Sequence, residues 1–202
     1  YQGIYSEIAG SINNVGGHVN HIIDIVKRVA NGDLSDLESL RENGKQSDND
    51  ELMPSVILMI ETIRELIEET RVLAENAVNG DLSARGDAAK FTGEYGNVIN
   101  GINNTLEAIV EPVKEASDVL QEVARGNLQT GMRGNYNGDH ALIKNALNET
   151  IDNLRSYVGE ISRVLADIGN GNLDQTITAE YKGDFVEIKD SLNNISASLS
   201  DA

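Results

Sequence analysis

A four-residue phrase returns along this chain at near-constant spacing: Asn31-Gly32-Asp33-Leu34, Asn79-Gly80-Asp81-Leu82, Arg125-Gly126-Asn127-Leu128 and Asn170-Gly171-Asn172-Leu173. Its glycines lie 48, 46 and 45 residues apart. Self-similarity at a period of roughly 20–50 residues marks a repeat architecture, in which one copy is too small to close a core and neighbours must complete it. The repeat therefore constrains the fold more than any single motif.

The apolar residues keep the same beat. Leu147, Ile151, Leu154, Val158, Ile161, Leu165 and Ile168 map onto Ile102, Leu106, Ile109, Val113, Ala116, Leu120 and Val123. The preceding copies are Val56, Ile60, Ile63, Ile67, Thr70, Ala74 and Ala77, and Ile8, Ile12, Val15, Val19, Ile22, Val26 and Val29. Steps of three and four form the heptad seam of helices that pack on helices, not the period of two expected of strands. The triplets Leu52, Val56, Ile60, then Val98, Ile102, Leu106, then Ile143, Leu147, Ile151 step four and four. This extra step is a stutter, which changes the packing phase early in each helix.

Each repeated glycine follows a helix by a few residues, where a left-handed C-terminal cap favours glycine. Gly32, Gly80, Gly126 and Gly171 are thus expected to be helix stops. Leu34, Leu82, Leu128 and Leu173 follow them, and Met132 and Ile177 stand four residues further on in two copies, with Tyr136 and Tyr181 beyond. Such apolar residues are expected to anchor the connector. The next helix is announced by Gly93-Glu94, Gly138-Asp139 and Gly183-Asp184, with Asp50-Glu51 as the diverged counterpart. Acids there are expected to satisfy free amides and oppose the helix dipole.

A connector such as Gly126–Asp139 is longer than the turn joining antiparallel helices, which needs roughly 2–5 residues. Extended, it reaches about 35–40 Å, enough to return along a helix of roughly 22 Å and start the next in the same direction. Two such amphipathic helices do not close a core, so a second chain supplying two more is expected. The expected fold is all-α: consecutive parallel four-helix coiled-coil bundles in a parallel homodimer, forming an elongated rod.

Other function classes find little support. The net charge of −17 repels phosphate backbones and anionic lipid, so neither nucleic acid nor a membrane surface is an expected partner. Apolar runs are far short of the ~20 residues that cross a bilayer. The chain has no cysteine, which excludes thiolate sites and fits a reducing compartment. His18 and His21 fall off the seam and, with His140, read as solvated side chains and not as metal ligands. The phrases "NGKQSDNDEL" and "NYNGD" lack the ligand spacing of a calcium loop. No nucleophile, paired carboxylate or nucleotide motif is present, so no enzymatic activity, cofactor, metal or small-molecule ligand is expected. Because the chain begins at Tyr1 in mid-pattern, it reads as a segment of something longer.

These parts together resemble HAMP domains, the signal-relay linkers of bacterial and archaeal chemoreceptors and sensor kinases. The resemblance rests on a first helix such as "EPVKEASDVLQEVARGNL", an anchored connector, an acidic start to the second helix, and an apolar-Asn pair inside it. That pair reads Ile12-Asn13, Ile102-Asn103, Leu147-Asn148 and Leu192-Asn193, with Ile60-Glu61 as the exception, and Pro112 alone keeps the first-helix proline. Asn beside the seam could bond a neighbouring helix or connector, or face solvent. The resemblance implies the second helix of one unit at 1–14 and further units at 15–65, 66–110, 111–155 and 156–202. It also implies a cytoplasmic relay in a chemoreceptor-like sensor, between an upstream sensory and a downstream signalling domain. In that role Leu52, Val56, Ile60, Val98, Ile102, Leu106, Ile143, Leu147 and Ile151 are the expected transmitting junction. The competing reading from another class is a structural spacer, a monomeric antiparallel helical bundle.

Overall fold

The computed structural model describes residues 2–43 and 50–200. Most of the phrase "NGKQSDNDEL" lies outside the described residues. Those residues form six α-helices, α1 (Gln2–Ala30), α2 (Leu37–Asn43), α3 (Leu52–Val78), α4 (Glu94–Ala124), α5 (Gly138–Gly169) and α6 (Phe185–Ser200), with a 3-10 turn at Ala88–Lys90. No strand occurs among them. The chain divides into two compact units, Tyr1–Leu106 and Glu107–Ala202.

The repeated phrase ends four helices in one way. Gly32, Gly80, Gly126 and Gly171 have φ of 81, 85, 86 and 86°, the left-handed region that carries little penalty only for glycine. At Gly126 its amide donates to Val123 O at 2.9 Å, and the Asn127 amide donates to Glu122 O at 2.9 Å. This pair of bonds satisfies carbonyls that the helix end leaves free. The residue after the glycine then bends the chain: Asp33, Asp81 and Asn127 accept on Oδ1 the amides of Ser35, Ser83 and Gln129, at 2.9–3.1 Å. Gly-Asp/Asn-Leu is therefore a stop, a side-chain turn and an anchor in sequence.

Helix starts differ from expectation. Asp50 behaves as an acidic cap, accepting the Leu52 and Met53 amides at 3.1 and 3.2 Å. The later starts turn instead through Gly93, Gly138 and Gly183, with φ of 61, 57 and 57°. Asn137, before α5, makes no side-chain cap bond. A second difference is α2, a helix inside the first connector, where the sequence alone leads us to expect only a connector anchored by Leu34. Its Leu37 and Leu40 alternate at helical spacing and both are buried.

Three cores form, each from the end of one helix, a connector and the start of the next. The first joins Ile25, Leu37, Leu40, Met53, Val56 and Ile60. Another joins Val119, Met132 and Ile151, with Ala116, Val123, Tyr136 and Leu147 around them. The last joins Tyr157, Val164, Ile177, Tyr181 and Leu192. Each fully buried branched side chain contributes roughly 1.5–3 kcal/mol, so a connector that inserts one is held firmly.

Candidate functional site

The connector in the second unit shows how the helices are arranged. Going forward from Gly126, Leu128 O accepts from Arg155 Nε at 2.7 Å, Met132 pairs with Asn148, and Gly134 O accepts from Lys144 Nζ at 2.6 Å. On the other side Met132 packs against Val119, and Tyr136 reaches back to Glu115. The connector thus descends both α4 and α5, so the end of α4 and the start of α5 run in the same direction. The next connector repeats the order: Leu173 O meets Ser196, Ile177 meets Asn193 and Ala179 O meets Lys189, while Tyr181 packs on Tyr157.

The grip on each connector is an asparagine. The Met132 amide donates to Asn148 Oδ1 at 2.8 Å, and Asn148 Nδ2 donates to Met132 O at 3.0 Å. Gly86 makes the same pair with Asn103, at 2.9 Å both ways, and Ile177 with Asn193, at 2.8 and 3.2 Å. A carboxamide is the smallest side chain carrying a donor and an acceptor in the geometry of a peptide group, so one residue satisfies both halves of an extended connector residue. Of the two roles left open for these asparagines, the structure shows connector bonding at 103, 148 and 193, whereas Asn13 is exposed. Where Glu61 replaces asparagine, it receives Arg41 of α2 at 2.8 Å.

A carboxylate from the first helix adds a second hold, which sequence reasoning missed. Glu115 accepts the Arg133 amide at 2.7 Å, the Gly134 amide at 3.2 Å and the Tyr136 hydroxyl at 2.6 Å. Tyr136 first, then these amides, hold its carboxyl below the usual range. The same bond and charge push the Tyr136 hydroxyl up to about 12. In the same register Glu69 accepts the Asp87 amide at 2.9 Å and faces Lys90 at 3.3 Å. The recurrence of glutamate at 69, 115 and 160 is the signal that could have revealed this.

The connector anchors lie as follows. Met132 and Ile177 are buried; Leu34, Leu82, Leu128 and Leu173 are half-buried. Gly86 holds the register of Met132 and Ile177, and the space is filled by Ile99 and Leu73, whose atoms would lie 2.7 and 3.0 Å from an added Cβ. The junction triplets grade from solvent to core: Leu52, Val98 and Ile143 are exposed, Ile102, Leu106 and Leu147 half-buried, and Val56, Ile60 and Ile151 buried.

The seam also resolves into two stripes. Ile25, Val119 and Val164 are buried in the three cores and Leu73 is buried beside Gly86, yet none of the four belongs to the apolar series traced by periodicity. Beside them Val26, Leu120 and Leu165 are exposed by 43–52%. Val113 and Leu120 line an apolar groove of about 510 Å³ with Pro112, Ala116, His140 and Ile143. His140 differs from the solvated reading: it is half-buried, and its Nδ1 is shielded without a partner. His18 and His21 are exposed.

Among the described residues, no group of His, Cys, Asp and Glu could hold a metal ion, and no helix is long and apolar enough to cross a membrane. No curated protein and no solved structure gives a match to the chain. A family model for the HAMP domain matches residues 90–156 and again 148–201, more than half of the 202 residues. Both matches cover a stop, a clamped connector and a following helix, and on that ground the chain belongs to the HAMP domain family, as a tandem array of these signal-transduction modules.

Proposed function

We propose that this chain is a relay segment of a chemoreceptor-like sensor in the cytoplasm, working as a parallel homodimer in which each unit contributes two helices to a four-helix bundle. The units are 15–65, 66–110, 111–155 and 156–202, preceded by the second helix of another at 1–14. Upstream sensory and downstream signalling domains of the same protein are its functional partners.

The observation that carries this reading is the double stripe. Each first helix buries one apolar row against its own connector and leaves an adjacent row, Val113 and Leu120 in α4, Val158 and Leu165 in α5, half in solvent. A contiguous apolar row is costly to hydrate and is the natural seat of a second copy. The parallel course of neighbouring helices favours the bundle over the antiparallel spacer. α3, α4 and α5 are single helices of 27, 31 and 32 residues, so each joins the second helix of one unit to the first helix of the next without a break. A phase change at Val98, Ile102, Leu106 or Ile143, Leu147, Ile151 then offers two packings of similar energy, which is what a relay needs.

Because the chain has no cysteine, single cysteines test the dimer cleanly. Leu120→Cys is expected to cross-link to its copy, and Val119→Cys to resist, with light scattering giving twice the 21.8 kDa chain mass. A monomer without cross-links would return the molecule to the spacer reading. In a receptor carrying this segment, Leu147→Asn is expected to shift output strongly while helicity is retained.

A further inference from the structure

In α6 two neighbouring residues exchange the character they have in the earlier helices. Ser196 stands in the register of Ile60, Leu106 and Ile151, and Ile195 in the register of Thr105 and Thr150. Ser196 is buried; its hydroxyl donates to Leu173 O at 2.5 Å and accepts the Gln175 amide at 3.1 Å, so hydrogen bonds hold the connector on that side. Ile195 is 50% exposed, where Thr105 and Thr150 donate to Gly101 O and Ala146 O of their own helices at 2.9 and 2.8 Å. The exchange leaves a row without a stutter: Phe185, Ile188, Leu192, Ile195 and Leu199 step three, four, three and four. Leu192 lies in its own core, and the other four are 36–50% exposed. The same row reads His140, Ile143, Leu147, Thr150 and Leu154 in α5, and Tyr95, Val98, Ile102, Thr105 and Ile109 in α4. Polar groups interrupt both.

We propose that α6 is the main clasp between two copies of this chain, its uninterrupted heptad row buried in the seam with the second copy. The inference rests on the homodimer reading above and names the helix that carries it. A strict heptad row is completed by helices of the same period, which a second copy supplies. Charge favours the same occupant. The positions flanking the row are Asp184, Ser191 and Ser198 on one side and Lys189 and Ser196 on the other, so they sum to zero in a chain of net charge −17. Two copies therefore approach along this row without the mutual repulsion of their other surfaces, and the acid and the base stand on opposite flanks, as parallel pairing requires. The replacement of threonine by isoleucine adds apolar surface where the second copy covers it, and Ser196 keeps the connector bound by other means. The relay then has a firm end at α6 and a yielding middle at α5, where His140 and Thr150 break the row.

Sedimentation equilibrium on the full chain reads the dimer dissociation constant and tests this. Ile195→Thr, which copies Thr105 and Thr150, is expected to raise it about 10-fold or more, because each dimer loses two isoleucines from its seam. Thr150→Ile makes the converse change in α5 and should lower it about fivefold or more, which provides a reading if the first variant fails to fold. Ser196→Ala, on the connector side of the same helix, should move it less than about threefold. Leu165→Thr, in the exposed row of α5, separates this inference from the reading beneath it. A dimer weakened by Leu165→Thr but not by Ile195→Thr keeps the homodimer and overturns the clasp, as does a Thr150→Ile chain that associates no more tightly. A chain that stays monomeric at every concentration overturns both.

Discussion

The first connector, between α1 and α3, and the third, between α4 and α5, do the same job with different chemistry. The third is gripped through its backbone by Asn148, in partly buried surroundings, and by Glu115, whose bond to the Gly134 amide is partly buried and whose bond to the Arg133 amide is exposed. The first replaces the amide clamp with α2, whose leucines are buried and whose charges reach α3 in the open: Arg41 to Glu61 at 2.8 Å and Glu38 to Arg64 at 3.1 Å, with side chains 29–67% exposed. Buried amide bonds are worth most when removal strands a partner, whereas exposed ion pairs are worth little. The third connector is therefore specified by hydrogen bonding, and the first mainly by apolar burial.

The sharpest break in that comparison is Asn148→Ala, which strands both polar groups of Met132 and should cost about 2–3 kcal/mol in thermal or denaturant unfolding. Leu37→Ala should cost a comparable amount in the first connector, about 2–3 kcal/mol, because Leu37 is only 1% exposed. Gly32→Ala and Gly126→Ala should each lose about 1–2 kcal/mol, and nearly equally, since both connectors share the left-handed stop. Unequal losses would show that the stops differ. Arg41→Ala should cost less than about 1 kcal/mol, and that small effect should vanish in high salt while the Asn148 loss persists.

Titration separates the two regions further. Glu115 has a lowered pKa, so its contribution is full above the ordinary carboxylate range and is lost as pH falls through the folded value. Asp33, held down to about 2 by the Ser35 hydroxyl first, then the Ser35 amide and Arg28, behaves likewise in the first connector, losing its contribution between about 4 and 2. Alkali acts on the third alone of these two. With Tyr136 raised to about 12, its bond to Glu115 stabilises below pH ~10 and is lost as pH rises toward 12. Tyrosine absorbance, compared with Tyr136→Phe, should show this late-titrating hydroxyl.

Much of the fold is legible in the residues because stops are local. Gly-Asp/Asn-Leu carries its own turn chemistry, and four helix ends follow from it. The core is less legible, because periodicity reports that a position is apolar without saying what covers it. Ile25 and Val26, or Val119 and Leu120, are neighbours in sequence but face a connector and solvent respectively. The series chosen by spacing therefore mixed two stripes. α2 escaped because Leu37 and Leu40 sit in a polar run too short for periodicity to speak. The clamp was half legible: asparagine beside the seam was evident, but its partner is a main-chain group sixteen or seventeen residues earlier.

That partner being main chain has a lasting effect on how the array can diverge. An amide that binds a peptide unit is blind to the side chain it holds, so glycine, methionine and isoleucine are held alike at 86, 132 and 177. Mutation can resize the plug beneath each strap, retuning one module's rigidity while the alignment of strap and helix is inherited unchanged.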